Sequence, residues 1–545
     1  MTGLLHERGP VARVLTEKEV SRRSFLKGSG TLVLGLTFAG AAQASNDPSA
    51  TLPTHTGEFP PTTATPDPTQ IDNYLQINPD NTATLYTGWV ELGQGSPTAM
   101  RMIAAEELNL TFDQVKLAQV DTNVSLSAST VGSGATSGAM AATSLRGAAA
   151  AARTLLLNMA ASQLNVPVTS LSISDGVISG GAAPLTYSDL IAGKLFNSTI
   201  AAANATLTPY TSFKIIGTSV PREDIPAIVM ATQVYTQNVR VPGMLHGRVV
   251  RPRGQAALGQ GAPVVSIDPK SISGIPGAQV VQHGDFVGVV APKEYDAIQA
   301  AAQLKVTWDD TPKLPSDEGL EAALRANAGQ AVTYTNGVLT ATTVPDAYGV
   351  LLGNPAAAIS TAAKTVSLSF FSAYNGHVPI GPNCSIADVN TTTKQATILC
   401  FTQLPYSTRT LATQAINSVL GYLDDSNPAV LNNTATEPNA WQVNQVRVQF
   451  FPASGTYGHS ELDDATSAAT IMSTIVGKPV RVQLMRWDET GWDQLGPAQA
   501  TDITAGLDAN NNIVGYQYQS FQHGSMSVET SSELAGVQLP LSEPT

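Results

Sequence analysis

The chain has 545 residues, a formal net charge of −13 at pH 7, 13% charged residues and two cysteines, Cys384 and Cys400. That length corresponds to about three to four domains, each large enough to bury a core. Two cysteines exclude a protein-held iron–sulfur cluster or a four-cysteine zinc site, no CxxCH attaches haem, and the scattered basic residues exclude a nucleic-acid surface.

The stretch SRRSFLKGSGTLVLGLTFAGAAQAS sets Arg22-Arg23 before Phe25-Leu26-Lys27, an apolar run from Thr31 to Ala42, and a closing Ala42-Gln43-Ala44. The run is too short to span a bilayer comfortably. Residues 1–44 therefore read as a twin-arginine export signal, and the chain as a periplasmic or cell-envelope protein with no stable membrane span. Residues 45–70, rich in Pro and Thr, read as a linker.

In the region 71–207, Leu85, Tyr86, Trp89, Val90 and Leu92 predict a strand. Gly93-Gln94-Gly95 predicts a turn, Ser96 an N-cap and Pro97 the first helical residue, with Met100, Ile103, Ala104 and Leu108 on one helical face. A bare turn at a helix start offers N–H groups to an anion, and Gln94 adds a donor and an acceptor. Glu91 reads as a structural residue of the strand. Ser129 to Arg153 is a second loop of Gly, Ser and Thr, entering an alanine-rich helix that runs to Leu164. SISDGVISGG predicts a hairpin.

Strands dominate from 213 to 312, at AIVMATQVYT, MLHGRVV and AQVVQHGDFVGVVA, with a helix at KEYDAIQAAAQL. From 340 to 545 strands are expected at TVSLSFFSAY, QATILCFTQ, VRVQFFPA and PVRVQLMRW, and helices at STRTLATQAINSVLGYL and DDATSAATIMSTIV. A hairpin is expected around Asn510 to Asn512. Arg486, Asp488 and Glu489 read as an ion-paired strand end, and His377 is as readily a core histidine as a site residue. SGTYGHSELDDATSAA is a third glycine loop before a helix. Three such loops suggest a large polyphosphate-like ligand held at helix N-termini. The fold class is α+β.

VELGQGSPTAMRMIAAEEL resembles the V-E-x-G-Q-G motif of the xanthine oxidase and aldehyde oxidase family. PGMLHGRVVRPRG and GDFVGVVAPKEYDAIQAAAQLKVTWDD resemble its α/β hammerhead domain, and HVPIGPNCSIADV and GTYGHSELDDATSAATIMSTIVGKPVRVQLMRWDETGWDQLGP its molybdenum-binding domain. The motif precedes the hammerhead segment, an order similar to the isoquinoline 1-oxidoreductase beta and nicotinate dehydrogenase type of large subunit.

The resemblance implies molybdopterin-binding regions at 71–207 and 340–545 with a hammerhead domain, 213–312, inserted between them. It implies molybdenum carried by molybdopterin, in the cytosine dinucleotide form. The cofactor would be held by Gly93, Gln94 and Gly95, by Gly134, Ala135, Thr136 and Ser137, and by Gly455, Tyr457 and Gly458, with no side chain as a direct metal ligand. The implied chemistry is hydroxylation of an N-heterocycle or aldehyde with water as oxygen source and a glutamate as general base. Electrons would leave through a small [2Fe–2S] subunit, with a cytochrome c as a further acceptor. The family's late Gly-Glu motif and its Arg-Gly loop have no counterpart in this sequence. No catalytic residue is therefore assigned, and the second region is expected to be incomplete. The alternative is a non-catalytic cell-envelope binding or scaffold protein that keeps the fold.

Overall fold

The computed structural model describes residues 65–127, 138–251, 263–309, 317–326, 332–335, 338–341, 348–351, 353–422, 438–458, 460, 464–492 and 495–522. All of them lie in one unit, Thr54–Thr545. Helix and sheet are mixed throughout, so the class is α+β.

Near the start, β1 (Leu75–Ile77) and β2 (Ala83–Leu85) pair antiparallel, and β3 (Val115–Leu117) adds parallel to β2. Helices α1 (Ser96–Leu108) and α2 (Leu145–Leu164) pack beside this small sheet, sharing a core of Leu75, Leu85, Met100, Leu108, Leu145 and Leu156. The fully buried alanines Ala148 to Ala152 keep the α2 surface small, so α1 approaches closely. The strand expected through Leu92 stops at Leu85. Beyond it the backbone is claimed locally: Val90 O accepts from Ser96 Oγ at 2.6 Å, and Leu92 N donates to Gln94 Oε1 at 2.6 Å. These bonds leave no ladder partner for a strand. Two buried glutamates on α1 tie down the segment that follows α2. Glu106 accepts from the N–H groups of Lys214, Ile215 and Ile216. Glu107, fully buried, pairs with Arg146 at 2.8 Å and Arg153 at 3.1 Å.

The strand expected at AIVMATQVYT is instead a short helix, Ile225–Val229. Pro226 has no N–H to give a ladder, and its fixed φ suits a first helical turn.

A seven-stranded sheet follows, built from β4 (Leu245–Val249), β5 (Gln279–His283), β6 (Phe286–Ala291), β7 (Cys384–Asn390), β8 (Gln395–Cys400), β9 (Val446–Phe450) and β10 (Val480–Gln483). Their order across the sheet is β9-β8-β7-β10-β4-β6-β5. Strands β8 and β9 run parallel, as do β10 and β4. Helix α3 (Glu294–Gln303) lies near β4 and β6. Helices α4 (Pro405–Val419) and α5 (Asp464–Val476) cover one sheet face, packing Ala412, Ile416, Ile471 and Met472 on Ala387, Ile398, Val448 and Val480. The sheet is trimmed to fit them: a Cβ on Gly288 would stand 2.2 Å from Met472 Cε. The register Ile386↔Leu399 puts Cys400 on the helix-covered face and Cys384 on the other, so the two thiols point apart and form no disulfide.

Farther out, strands Lys364–Ser372, Gln499–Leu507 and Ile513–Gln522 form an antiparallel sheet whose last pair is the expected hairpin. The expected strand end at Arg486 is helix α6 (Arg486–Trp492). Asp488 Oδ2 accepts from Met485 N at 2.8 Å and so opens the helix, while Arg486 pairs with Glu489 at 2.6 Å one turn along. Among the described residues no helix is long and apolar enough to cross a membrane.

Candidate cofactor-binding site

Because β8 and β9 are parallel, their carboxyl ends share one edge of the sheet. Phe401 to Leu404 lead from β8 into α4, and Phe451 to Ser460 lead from β9 towards α5. The two connections are bonded to each other: Gln403 N donates to Ser460 O at 2.8 Å and Ser460 N to Gln403 Oε1 at 2.7 Å. Crevices outside the carboxyl ends of parallel strands are where open α/β sheets bind ligands.

The Gly93 turn is delivered to this edge. Gly458 N donates to Leu92 O, and a Cβ built on Gly93 would stand 3.6 Å from Tyr457 N. Phe450 N donates to Val120 O at 2.9 Å, and the apolar residues Val90, Leu92, Val120, Phe401, Phe450 and Ala453 fill the space beneath. Two of the three glycine loops, 93–95 and 455–458, thus meet. Gly134, Ala135, Thr136 and Ser137 of the remaining loop lie outside the described residues. On its near side Ser125 O accepts from Tyr406 Oη at 2.6 Å, and on its far side a Cβ on Gly138 would lie 3.6 Å from Trp89 Cζ2.

The turn itself is not the bare nest expected from sequence. Gly93 and Gly95 have φ of +100° and +80°, which glycine adopts without strain. Their N–H groups, however, donate to Glu91 Oε1 at 2.6 and 3.0 Å. The anion in the nest is the chain's own carboxylate. Burial pushes the Glu91 carboxyl above its ordinary value, and the two N–H bonds and Arg222 oppose that rise. Arg222 Nη1 also donates to Gly93 O at 2.8 Å. Gln94 folds back on the turn, with Nε2 donating to Val90 O at 3.1 Å. Ser96 is the first helical residue, and Gly95 takes the N-cap position assigned to Ser96 from sequence.

In the facing loop, Tyr457 is 61% exposed with φ of +54°. A Cβ on Gly458 would meet nothing within 4 Å, whereas one on Gly455 would stand 2.9 Å from Ile380 Cβ. Gly458 therefore opens onto free space, and Gly455 lets the Ile380 segment pass. His377 is exposed, bonds Thr456 O through Nε2, and meets the Tyr457 ring edge-on at 6.4 Å, so it is not a core histidine.

One residue at this edge was not singled out from sequence. Arg409, on α4, is 4% exposed. Its guanidinium lies 4.8 Å from the Tyr406 ring centroid, and Nη1 reaches Thr122 O only at 3.4 Å. No carboxylate pairs with it among the described residues. The acid next to Thr122, Asp121, is already held by Arg447 at 2.8 Å and Gln449 at 3.2 Å. Burial depresses the Arg409 pKa and pushes Tyr406 up to about 12, so the phenol stays neutral.

The family model of the molybdopterin cofactor-binding domain matches residues 50–236. The chain is 33% identical over 453 residues to a nicotinate dehydrogenase subunit of Pseudomonas putida, covering 82% of this chain and 35% of that protein. It is 26% identical over 338 residues to the beta subunit of isoquinoline 1-oxidoreductase of Brevundimonas diminuta, covering 54% of this chain and 41% of that protein. These similarities support a molybdopterin-binding subunit of the xanthine oxidase family. It spans about a third of the length of the nicotinate dehydrogenase relative, at 35%. Quinoline 2-oxidoreductase from Pseudomonas putida, a solved structure, aligns at 18% identity with a TM-score of 0.41, over 56% of this chain and 39% of that one.

The residues at the edge fit the family's anionic cofactor in two respects. Gly458 faces open space where a bulky ring can lie beside Tyr457, and Arg409 is a buried cation lacking a counter-charge among the described residues. They fit less well in a third, since the Gly93 and Gly95 N–H groups are already taken. Gln94 retains one amide N–H that no described bond uses.

Proposed function

We propose that this chain is the molybdopterin-binding part of a periplasmic molybdenum hydroxylase that oxidises an N-heterocycle or an aldehyde with water as oxygen source. The observation that carries this reading is the crossing of the two glycine loops, fixed by the bond from Gly458 N to Leu92 O at the carboxyl ends of β8 and β9. When bound, the cofactor supplies a two-electron redox centre, chemistry that no side chain provides. The chain's own residues position it. Gln94 presents an amide N–H held in place by the bond from its Nε2 to Val90 O, and Tyr457 offers an exposed ring beside the gap at Gly458.

Two features support a separate electron-transfer partner and export. The thiols of Cys384 and Cys400 lie buried on opposite sheet faces and cannot ligate a cluster, so electrons leave through a [2Fe–2S] subunit, with a cytochrome c beyond it. The twin-arginine pattern at Arg22-Arg23 supports transport after the cofactor is loaded. The cofactor is assigned the cytosine dinucleotide form, with Gly134 to Ser137 closing the third side. Metal and pterin analysis of the purified chain, co-expressed with its partner subunits, tests this. The expected result is molybdenum and pterin near one per chain, with CMP released by acid. A folded protein holding neither refutes the hydroxylase and leaves a scaffold.

A further inference from the structure

The outer sheet of Lys364–Ser372, Gln499–Leu507 and Ile513–Gln522 carries different chemistry on its two faces. Its register aligns Val366 with Ala505 and Tyr516, Leu368 with Ile503 and Tyr518, and Phe370 with Thr501 and Ser520, so these three rows share one face. The alternate residues point the other way, and there the sheet is covered. Helix Pro355–Ser360 packs so closely that a Cβ on Gly515 would stand 2.9 Å from Ile359 Cγ1, while Arg325 pairs with Asp502 at 2.5 Å and lies over the Phe521 ring. The first face lacks such cover: Leu368, Phe370, Tyr516 and Tyr518 are between 50% and 54% exposed. None of the residues in its three rows is charged. A sheet with one apolar face gains stability by burying that face against another layer.

The face also has relief. Bulky side chains stand along both outer strands, and the small Thr501 and Ala505 flank Ile503 along the middle one, with Thr501 only 8% exposed. Two ridges therefore border a trough, one strand spacing of about 4.8 Å apart. A second copy turned over by a two-fold axis can seat its Tyr516–Tyr518 ridge in this trough and receive the same ridge in its own, so the surface is complementary to itself. The three half-exposed rings present about 300 Å². With the aliphatic side chains the face presents about 500 Å² per copy, or about 1,000 Å² for a pair, where specific interfaces begin. Charge favours the same occupant. Two copies of a chain of net charge −13 repel, and an uncharged face is where they meet with the least added repulsion.

We propose that this face is a two-fold interface between two copies of the chain, with Tyr516 and Tyr518 of each copy seated in the trough of the other. The proposal is independent of the cofactor.

The test is sedimentation equilibrium of the purified full chain from about 1 to about 100 μM. A dimer is expected, and about 0.5 M sodium chloride should leave it intact or tighten it, since salt screens the repulsion and not the apolar contact. Tyr518→Glu places a lone carboxylate in the trough and should raise the dimer dissociation constant at least about tenfold, with Phe370→Glu, nearer the rim, doing so less. Val229→Glu, at an exposed apolar position away from this sheet, is the control and should dimerise as wild type does. Should Tyr518→Glu fail to fold by circular dichroism, Tyr518→Ser decides, by the same weakening or its absence. A wild-type chain that stays monomeric overturns the proposal, whether its own residues or another subunit shield the face from hydrogen exchange. A dimer that Tyr518→Glu leaves unchanged, that Val229→Glu weakens equally, or that salt dissociates overturns it as well.

Discussion

Glu91 separates two roles that one carboxylate usually combines, accepting hydrogen bonds and carrying charge. Its Oε1 holds the N–H groups of Gly93 and Gly95 at 2.6 and 3.0 Å, and Arg222 approaches it at 3.7 Å. Truncation by Glu91→Ala removes the acceptor. Gly93 is exposed and water replaces its bond, whereas Gly95 is buried and its N–H is left unmet. An unmet buried donor costs about 1–3 kcal/mol, and the partly exposed Arg222 contact adds under about 1 kcal/mol. A loss near 2 kcal/mol is about thirtyfold in local opening. Glu91→Gln keeps an acceptor oxygen and drops the charge. Burial raises the Glu91 pKa while the two N–H bonds and Arg222 oppose the rise, so removing the charge relieves a burial cost, and the amide is expected to be neutral or mildly stabilising. The assay is hydrogen exchange, followed by mass spectrometry, on peptides spanning residues 90–100 at pH 7. Glu91→Ala should exchange about thirtyfold faster there, and added sulfate should slow it by filling the vacated nest. Exchange in Glu91→Ala indistinguishable from wild type would refute the reasoning, as would a Glu91→Gln chain as labile as Glu91→Ala.

Three further outcomes are expected. Glu107→Ala leaves Arg146 and Arg153 facing each other without their shared carboxylate, and should destabilise the chain by about 3–5 kcal/mol in urea unfolding; a loss under about 1 kcal/mol contradicts the triad. Burial pushes Asp488 up to about 6 from 3.8, so it favours the folded state most below pH 4 and loses that contribution as pH rises through 6. Replacing it by Asn should flatten stability between pH 4 and 7, by at most about 3 kcal/mol, and an unchanged pH profile counts against the buried carboxyl. Gly288→Ala drives a methyl against Met472 Cε and should lower the melting temperature, while Gly288→Ala with Met472→Ala should recover part of the loss; additive losses exclude the contact.

The regular elements were legible where periodicity was strong. The alternation of QATILC and the apolar run of FVGVVA located β8 and β6, and the helical spacing of MRMIAAEEL located α1. Misreadings came where a side chain competes with the ladder. Residues 86–92 have strand composition, yet Gln94 and Ser96 claim Val90 O and Leu92 N from within the turn. In the segment from Ile225, β-branched residues suggested a strand, but Pro226 decides for helix. Likewise Asp488 turns an apparent strand end into α6 by accepting from Met485 N. At the site, the glycine loops were visible as motifs, but their meeting depends on contacts more than 360 residues apart in sequence, such as Leu92 with Gly458. The Glu91 cap was local enough to read, in the spacing E-x-G-x-G. Arg409 also left a trace, as the sole charged residue in a 15-residue helix.

The central sheet also sets a timetable for synthesis. Strand β4 at Leu245–Val249 finds its parallel neighbour only in Val480–Gln483, and β7 needs the same strand. A ribosome that has released 470 residues has therefore produced two half-sheets, each with an open edge where β10 belongs. Such edges recruit other strands. While the interval between residues 390 and 480 is being translated, the nascent chain is at its most vulnerable to misassembly, and a chaperone that shields a sheet edge would act then.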